Sequence, residues 1–258
     1  MNFLANSRIG DWLEGLGRLA LLAKETIASL CTLKAGGRDL LRQIHFMGVK
    51  SQSVVLITGA FTGMVLCVQA YLQFHKVKMD TAALALVSVS MCDELGPVLT
   101  GLMVAGRVGA AIAAELGTMR VTEQIDALRT LATHPVDYLV VPRIVALLIA
   151  MPLLTVEAMA IGIVSAYLVG IFLGIDSTYL WENMLKYTGS VDVIIGLIKA
   201  FFYGGIVALI GCYKGMYCGE GAVGVGRATT ESVVYSSITI LIVNFFLTLS
   251  IGTFLKLL

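Results

Sequence analysis

Three glycines in the stretch CGEGAVGVGRAT (218–229) form the pattern G-x-G-x-x-G. This pattern is typical of a loop that binds dinucleotide phosphates when a strand precedes it, a helix follows it and an acid lies about twenty residues on. Here a long apolar segment precedes the glycines, and the chain near position 240 reads TILIVNFF, without an acid. We therefore expect a tight turn at 218–229, with Thr229 or Thr230 able to cap the helix that follows.

Other nucleotide and metal motifs are missing as well. The pattern G-x-x-x-x-G-K-[ST] does not occur, so the sequence predicts no ATP hydrolysis through a P-loop. The five cysteines and three histidines lack metal-ligand spacing, and a disulfide framework is not expected. We expect this chain to bind no metal, no cofactor and no nucleic acid.

Two adjacent acids, Asp93 and Glu94, lie within an apolar segment just before Gly96-Pro97. Proline removes a helical hydrogen bond, so a kink is expected near 93–97. A charge at membrane depth is costly unless it is paired or hydrated, and it therefore marks a candidate site. The two acids line a cavity for an amphipathic substrate, or lie nearer the membrane interface, or cap the kink.

Three further charged residues fall inside or beside apolar segments. Arg107 is expected at the cytoplasmic edge, where it snorkels or pairs with Glu115. Glu157 and Lys199 each lie alone in an apolar segment, so the two could pair with one another across two spans.

Composition indicates the environment in which these residues lie. The 258 residues are 58% apolar and only 14% charged, with a mean hydropathy of +0.89, whereas about a quarter of the residues in a soluble domain are charged. Five segments are long enough to cross about 30 Å of hydrocarbon as helices. They are residues 51–74, 81–114, 139–175, 193–213 and 232–255. The sequence therefore predicts an all-α integral membrane protein.

Small residues predict where these helices pack closely. Gly59 and Gly63 form a GxxxG in the first segment. In the second segment small residues recur at every fourth position: Gly101, Ala105, Gly109, Ala113 and Gly117. Both patterns indicate tight helix–helix contacts.

An amphipathic helix is expected ahead of the first span. Residues 11–33 have apolar groups at three-or-four spacing with charges between them. Such a helix packs on a soluble core or lies in the membrane interface, and the spans that follow favour the interface. We divide the chain into an interfacial region, 1–45, and a five-span domain, 46–258.

The segment 115–138 is polar and compatible with a helix, and Thr122 is a candidate N-cap. A solvated helix with mixed charges is one interpretation. The length of the segment favours a helix that docks a partner, because it is long for a plain connector. Its candidate docking residues are Glu115, Arg120, Glu123, Gln124, Asp126 and Arg129.

The distribution of Lys and Arg predicts the orientation. Thirteen of them fall in residues 8–50, 107–143 and 214–227, against four at 76, 78, 186 and 256. The N-terminus, the 115–138 segment and the Gly-rich turn are therefore expected in the cytoplasm, and the C-terminus outside.

The sequence resembles the MlaE family, the permeases of ABC-type lipid transporters. The resemblance covers roughly 45–255 and rests on DELGPVLTGLMVAGRVGAAIAAELGTMRVTEQIDAL, PVDYLVVPRIVALLIAMPLLT and GAVGVGRATTESVV. It implies a homodimer of five-span subunits in the bacterial inner membrane that moves phospholipids between the inner and outer membranes. It also implies cytoplasmic ATPase subunits that bind ATP and Mg²⁺, a periplasmic MCE-domain ring and a small STAS-type cytoplasmic accessory subunit.

The resemblance also implies roles for individual residues. Residues 118–131 correspond to the family's coupling helix, which seats in the ATPase. Leu66, Gln69, Tyr71 and Glu94 correspond to residues that line a lipid cavity at the dimer interface. Relatives often carry a basic residue just before that Glu, where this chain has Asp93.

We expect a permease that has no enzymatic activity of its own. Two other classes of protein are alternatives to it. A proton-coupled secondary transporter of an amphipathic substrate would use Asp93 or Glu94 as a proton relay, and usually shows internal repeats. No second half of this sequence matches the first. A membrane enzyme acting on lipid would need a nucleophile and base, or clustered acids, at one depth. A copurifying ATPase would distinguish the permease from both.

Overall fold

The computed structural model describes residues 8–30 and 37–255, which form eleven α-helices and no strand within those ranges. Five helical segments are long and apolar enough to cross a membrane. They are Asp39–Phe74, Ala83–Val121, Val136–Phe172, Ser190–Met216 and Gly221–Thr253. The prediction of an all-α membrane protein with five spans is confirmed.

Two helices precede the first span. α1 (Arg8–Leu30) covers residues 11–30 of the predicted helix, and positions 31–33, with Cys31, lie outside the described residues. The sequence did not reveal α2 (Gly37–Met47), an amphipathic helix whose Leu40 and Ile44 pack on the main core. The proposed division between residues 45 and 46 falls inside α2.

The first span, α3 (Gln52–Phe74), crosses α8 (Val141–Phe172) at very short range. A Cβ placed on Gly63 would lie 2.0 Å from the carbonyl oxygen of Gly162, and one on Gly59 would lie 2.8 Å from that of Ala158. Only glycine allows this approach, so the predicted role of the GxxxG is confirmed.

The second span is divided by two π-helical turns. It runs through α4 (Ala83–Ser90), the turn Met91–Leu95, α5 (Gly96–Val104), the turn Ala105–Gly109 and α6 (Ala110–Val121). The first turn occupies the position where Pro97 predicts an irregularity. π-Helical turns inside α-helices occur frequently at functional sites.

The small residues of the second span face α10 (Ser190–Met216) and α11 (Gly221–Leu255). Gly101 lies against Ile240, Gly109 against Ser232 and Gly117 against Val225. As the residue numbers of the glycines increase, those of their contact partners in α11 decrease. α11 therefore runs antiparallel to the second span along this contact. The predicted close contact is confirmed.

The segment that follows the second span differs from the single helix expected over 118–131. α6 ends at Val121, and α7 (Gln124–Thr130) begins after Glu123, whose φ is +58°. Thr122 is not an N-cap, because its hydroxyl donates to the carbonyl oxygen of Thr118. The left-handed residue turns the chain and separates two helices.

The Gly-rich stretch is mostly helical, which corrects the turn expected over 218–229. α10 ends at Met216 and α11 begins at Gly221, whose φ is +69°. A Cβ on Gly224 would lie 2.2 Å from the carbonyl oxygen of Gly219. Thr229 and Thr230 lie inside α11 and donate to the carbonyl oxygen of Gly226, so neither caps the helix.

Candidate functional site

The ammonium group of Lys199 lies at the centre of a polar network inside the spans. Its Nζ donates to Oε1 of Glu94 (2.6 Å), to the carbonyl oxygen of Asp93 (2.9 Å) and to Oγ1 of Thr248 (3.0 Å). The Lys199 side chain is only 1% exposed. All three of its N–H donors are used, which makes burial of this charge tolerable.

Pro97 explains why the carbonyl oxygen of Asp93 is available. In an α-helix this oxygen would accept from the N–H of residue 97, and proline has none. Lys199 supplies the missing donor from α10. The kink residue and the buried lysine are therefore parts of one arrangement.

α11 completes the network around the carboxylate of Glu94. Asn244 donates from Nδ2 to Oε2 (3.0 Å), and Thr248 donates from Oγ1 to Oε1 (2.8 Å). The buried Tyr203 of α10 donates to Oδ1 of Asn244 (2.6 Å) and orients that amide. The Glu94 side chain remains 35% exposed although both of its carboxylate oxygens accept hydrogen bonds.

The position of the network along the spans bears on one interpretation of Asp93 and Glu94, that they lie near the membrane interface. Lys199 lies nine residues after Ser190, the first residue of α10, which corresponds to about 14 Å along the helix. Gly196, one turn earlier, approaches the carbonyl oxygen of Cys92 so closely that a Cβ would lie 2.2 Å from it. The network therefore lies away from the ends of the spans, which argues against a position near the interface, whereas the lipid cavity and the cap at the kink stay predictions.

The other residues expected in a lipid cavity are not joined to this network by polar contacts. Leu66 and Tyr71 of α3 pack partly buried against a cluster that includes Ala83 and Leu84, and Gln69 is exposed. Among the described residues, no hydrogen bond or ion pair connects these three to Glu94. Oδ1 of Asp93 is buried and has no partner there. A shared cavity remains a prediction.

Neither of the two ion pairs that the sequence suggested as possible forms among the described residues. Glu157 accepts from Nε2 of Gln52 (2.7 Å), while Lys199 binds Glu94. Arg107 donates to Oγ of Ser51, so it ties the second span to the start of the first and does not pair with Glu115.

The six candidate docking residues divide into three groups. Nη1 of Arg120 binds both carboxylate oxygens of Asp126 (2.7 and 2.8 Å), and Arg129 binds Oδ1 (3.1 Å), so α7 is fastened back onto the end of α6. Glu115 instead pairs with the buried Arg143 of α8 (3.1 Å).

The remaining two docking candidates, Glu123 and Gln124, are exposed where α7 begins, while Ile125 beside them is buried. This leaves a polar surface on an otherwise anchored helix.

Sequence reasoning missed Tyr203, Asn244 and Thr248. The sequence of α11 did indicate a polar site, because Asn244 and Thr248 are two polar residues four positions apart in an apolar span. Residues at this spacing share one face of a helix.

The chain is similar to a family of permeases and to individual permease proteins of several bacteria. The family model described as Permease MlaE matches residues 40–250. A probable ABC transporter permease protein of Rickettsia felis is 45% identical over 249 residues, covering 95% of this chain and 96% of the relative. One of Synechocystis is 39% identical over 237 residues, covering 92% and 90%. The intermembrane phospholipid transport system permease protein MlaE of Haemophilus influenzae is 35% identical over 252 residues, covering 96% and 97%.

Proposed function

The chain belongs to the MlaE permease family, and we propose that it is the membrane subunit of an ABC transporter that moves phospholipids between the inner and outer membranes of a bacterium. The names of the Rickettsia and Synechocystis relatives support an ABC transporter. The name of the Haemophilus influenzae relative supports phospholipid as the cargo.

The observation that carries the proposal is the partly exposed side chain of Glu94, whose carboxylate is fixed inside the spans by Lys199, Asn244 and Thr248. A phospholipid has a polar headgroup and apolar tails, so its path needs a polar position within an apolar wall. The network supplies that position on three helices. Asp93, with a buried oxygen that lacks a partner, adds a second acid beside it.

The energy for movement comes from ATP that a partner subunit binds. In this proposal the exposed Gln124 and Glu123 at the start of α7 contact the ATPase, and the Arg120–Asp126 pair transmits its motion to α6. α6 contacts α11 where Gly117 lies against Val225. α11 carries Asn244 and Thr248, so a displacement of α7 changes the surroundings of Glu94.

The further parts of the assembly belong to the same proposal. The subunit forms a homodimer in the inner membrane, with its N-terminus and α7 in the cytoplasm and its C-terminus in the periplasm. Leu66, Gln69 and Tyr71 of α3 face the lipid at the dimer interface. A periplasmic MCE-domain ring and a STAS-type cytoplasmic subunit complete the system.

Affinity purification of the full chain from native membranes tests the proposal. We expect an ABC ATPase to copurify in a constant ratio, and the purified complex to hydrolyse ATP. Reproducible absence of an ATPase, together with transport that follows a proton gradient, would favour a proton-coupled secondary transporter instead.

A further inference from the structure

The connection between the third and fourth spans contains a helix, α9 (Ser177–Tyr187). Asp176 caps it, with the N–H of Thr178 donating to its carboxylate (2.8 Å). α8 ends at Phe172 and α10 begins at Ser190, so α9 lies where these two spans end.

One side of α9 is fixed to the protein. Leu180 and Met184 are buried in a cluster with residues of α4, and Gly170 of α8 leaves room for the Leu180 side chain. Just beyond the helix, the hydroxyls of Thr188 and Ser88 share a hydrogen bond of 2.6 Å. α9 therefore has a defined orientation against α4 and α8.

The exposed surface of α9 has two flanks of different chemistry. Trp181 and Leu185 are one turn apart and are 51% and 60% exposed. Lys186 is five residues from Trp181, which places it about 140° around the helix. Lys186 and Glu182 are exposed and polar. The surface that the protein leaves open is thus itself amphipathic.

A ring contact places the apolar flank of α9 beside α8. The Trp181 ring meets the Tyr167 ring at 6.1 Å in an edge-to-face arrangement. Tyr167 lies five residues before the end of α8, about 7.5 Å toward the membrane interior. The apolar flank therefore continues the exposed apolar surface of α8, which includes Leu168 and Phe172.

We propose that α9 is a membrane-surface anchor, with Trp181 and Leu185 inserted at the boundary between lipid headgroups and acyl chains and with Lys186 in water. Tryptophan prefers this boundary because its ring is apolar and its N–H is polar, and amphipathic helices bind there through their apolar side. Through the Thr188–Ser88 hydrogen bond the anchor holds the end of α4, six residues before Glu94.

Tryptophan fluorescence tests the proposal, because the chain contains only two tryptophans. The full chain with Trp12→Phe, reconstituted in bilayers, reports on Trp181 alone. Phosphatidylcholines brominated near the headgroup or near the bilayer centre serve as quenchers from the lipid side, and iodide serves as a quencher from water. We expect loss of Trp181 emission with bromine, largest for bromine near the headgroup, and little loss with iodide.

A matched variant moves the probe to the other flank. In Trp12→Phe/Trp181→Phe/Lys186→Trp we expect the reverse result, with quenching by iodide and little by brominated lipid. Trp181 emission that brominated lipid leaves unchanged would overturn the proposal, whether Trp181 then faces water or a protein. Equal quenching of both probes by brominated lipid would also overturn it, since α9 would then have no polar flank.

Discussion

Nζ of Lys199 and Oε1 of Glu94 lie 2.6 Å apart and join the fourth span to the second. A lysine buried this completely depends on its hydrogen-bond acceptors, because water cannot reach it. Glu94 depends in turn on two residues of α11. Three helices therefore share one electrostatic arrangement, and a change in any of them affects the others.

Replacing Lys199 by Met should destabilise the protein. The change leaves Glu94 without its cation and the carbonyl oxygen of Asp93 without a donor. We expect a cost of about 1–3 kcal/mol, less than for a fully buried pair, because Glu94 is 35% exposed. Thermal unfolding of the purified chain in detergent measures it.

The double variant Lys199→Met/Glu94→Gln controls for lost packing. Because it removes both charges, it should be more stable than the sum of the two single changes predicts. Strict additivity would show that the two side chains do not interact.

The two glycines at 224 and 226 should respond differently to alanine. At Gly224 the new Cβ would lie 2.2 Å from the carbonyl oxygen of Gly219, so the turn between α10 and α11 must open and the melting temperature should fall. At Gly226 nothing lies within 4 Å, and alanine should be neutral or stabilise by about 0.5 kcal/mol through its helix propensity. Equal melting temperatures for the two variants would contradict the close approach.

Replacing Gln124 by Trp should weaken ATPase docking. Gln124 is exposed at the start of α7, so a large ring there should obstruct a partner without disturbing the fold. Pull-down of the ATPase and its ATP turnover measure the effect. Glu182→Trp, an equally bulky change at an exposed position of α9, is the control and should leave docking intact. A Gln124→Trp complex that survives purification with normal turnover would remove α7 from the interface.

Replacing Asp126 by Leu should have a larger effect on docking. This change removes the contacts with Arg120 and Arg129 as well as any contact with the partner. Loss of docking with an unchanged melting temperature is expected, because both contacts lie at the surface. A lowered melting temperature would assign Asp126 mainly to the fold.

Cysteine labelling in intact cells should report the orientation. A membrane-impermeant maleimide is expected to label Lys186→Cys from outside and to reach Glu220→Cys only after the membrane is permeabilised. Burial raises the pKa of the neighbouring Cys218 thiol, so the parent protein contains less of the reactive thiolate there at neutral pH and should label slowly. Labelling of Glu220→Cys in intact cells would reverse the orientation.

The number of spans and the tight glycine contacts could be predicted because they depend on local composition and spacing. The partners of the charged residues could not be predicted in the same way. Glu157 and Lys199 each looked alone in the sequence, but which helices face one another decides that Lys199 binds Glu94 and that Glu157 binds Gln52. Pairing across spans is a tertiary property.

The predicted helix boundaries were wrong where the backbone conformation could not be inferred from the residue types. Glu123 adopts a left-handed backbone conformation, which a glutamate does not predict. This conformation separates α6 from α7. The glycines of 218–229 suggest a turn, yet α11 begins at Gly221 because the chain turns within the four residues before it. Packing against α6 and α10 stabilises helix where propensity alone argues against it.

ATP-driven transfer of a labelled phospholipid tests the central claim most directly. The chain, reconstituted in liposomes with its ATPase and periplasmic partner, is compared with Glu94→Leu and with Gly226→Ala as a control. We predict ATP-dependent transfer by the parent and by Gly226→Ala, and loss of transfer in Glu94→Leu with the complex still assembled. Transfer by Glu94→Leu at the parent rate would contradict the role of Glu94, and transfer by the parent without ATP would contradict the proposed transporter.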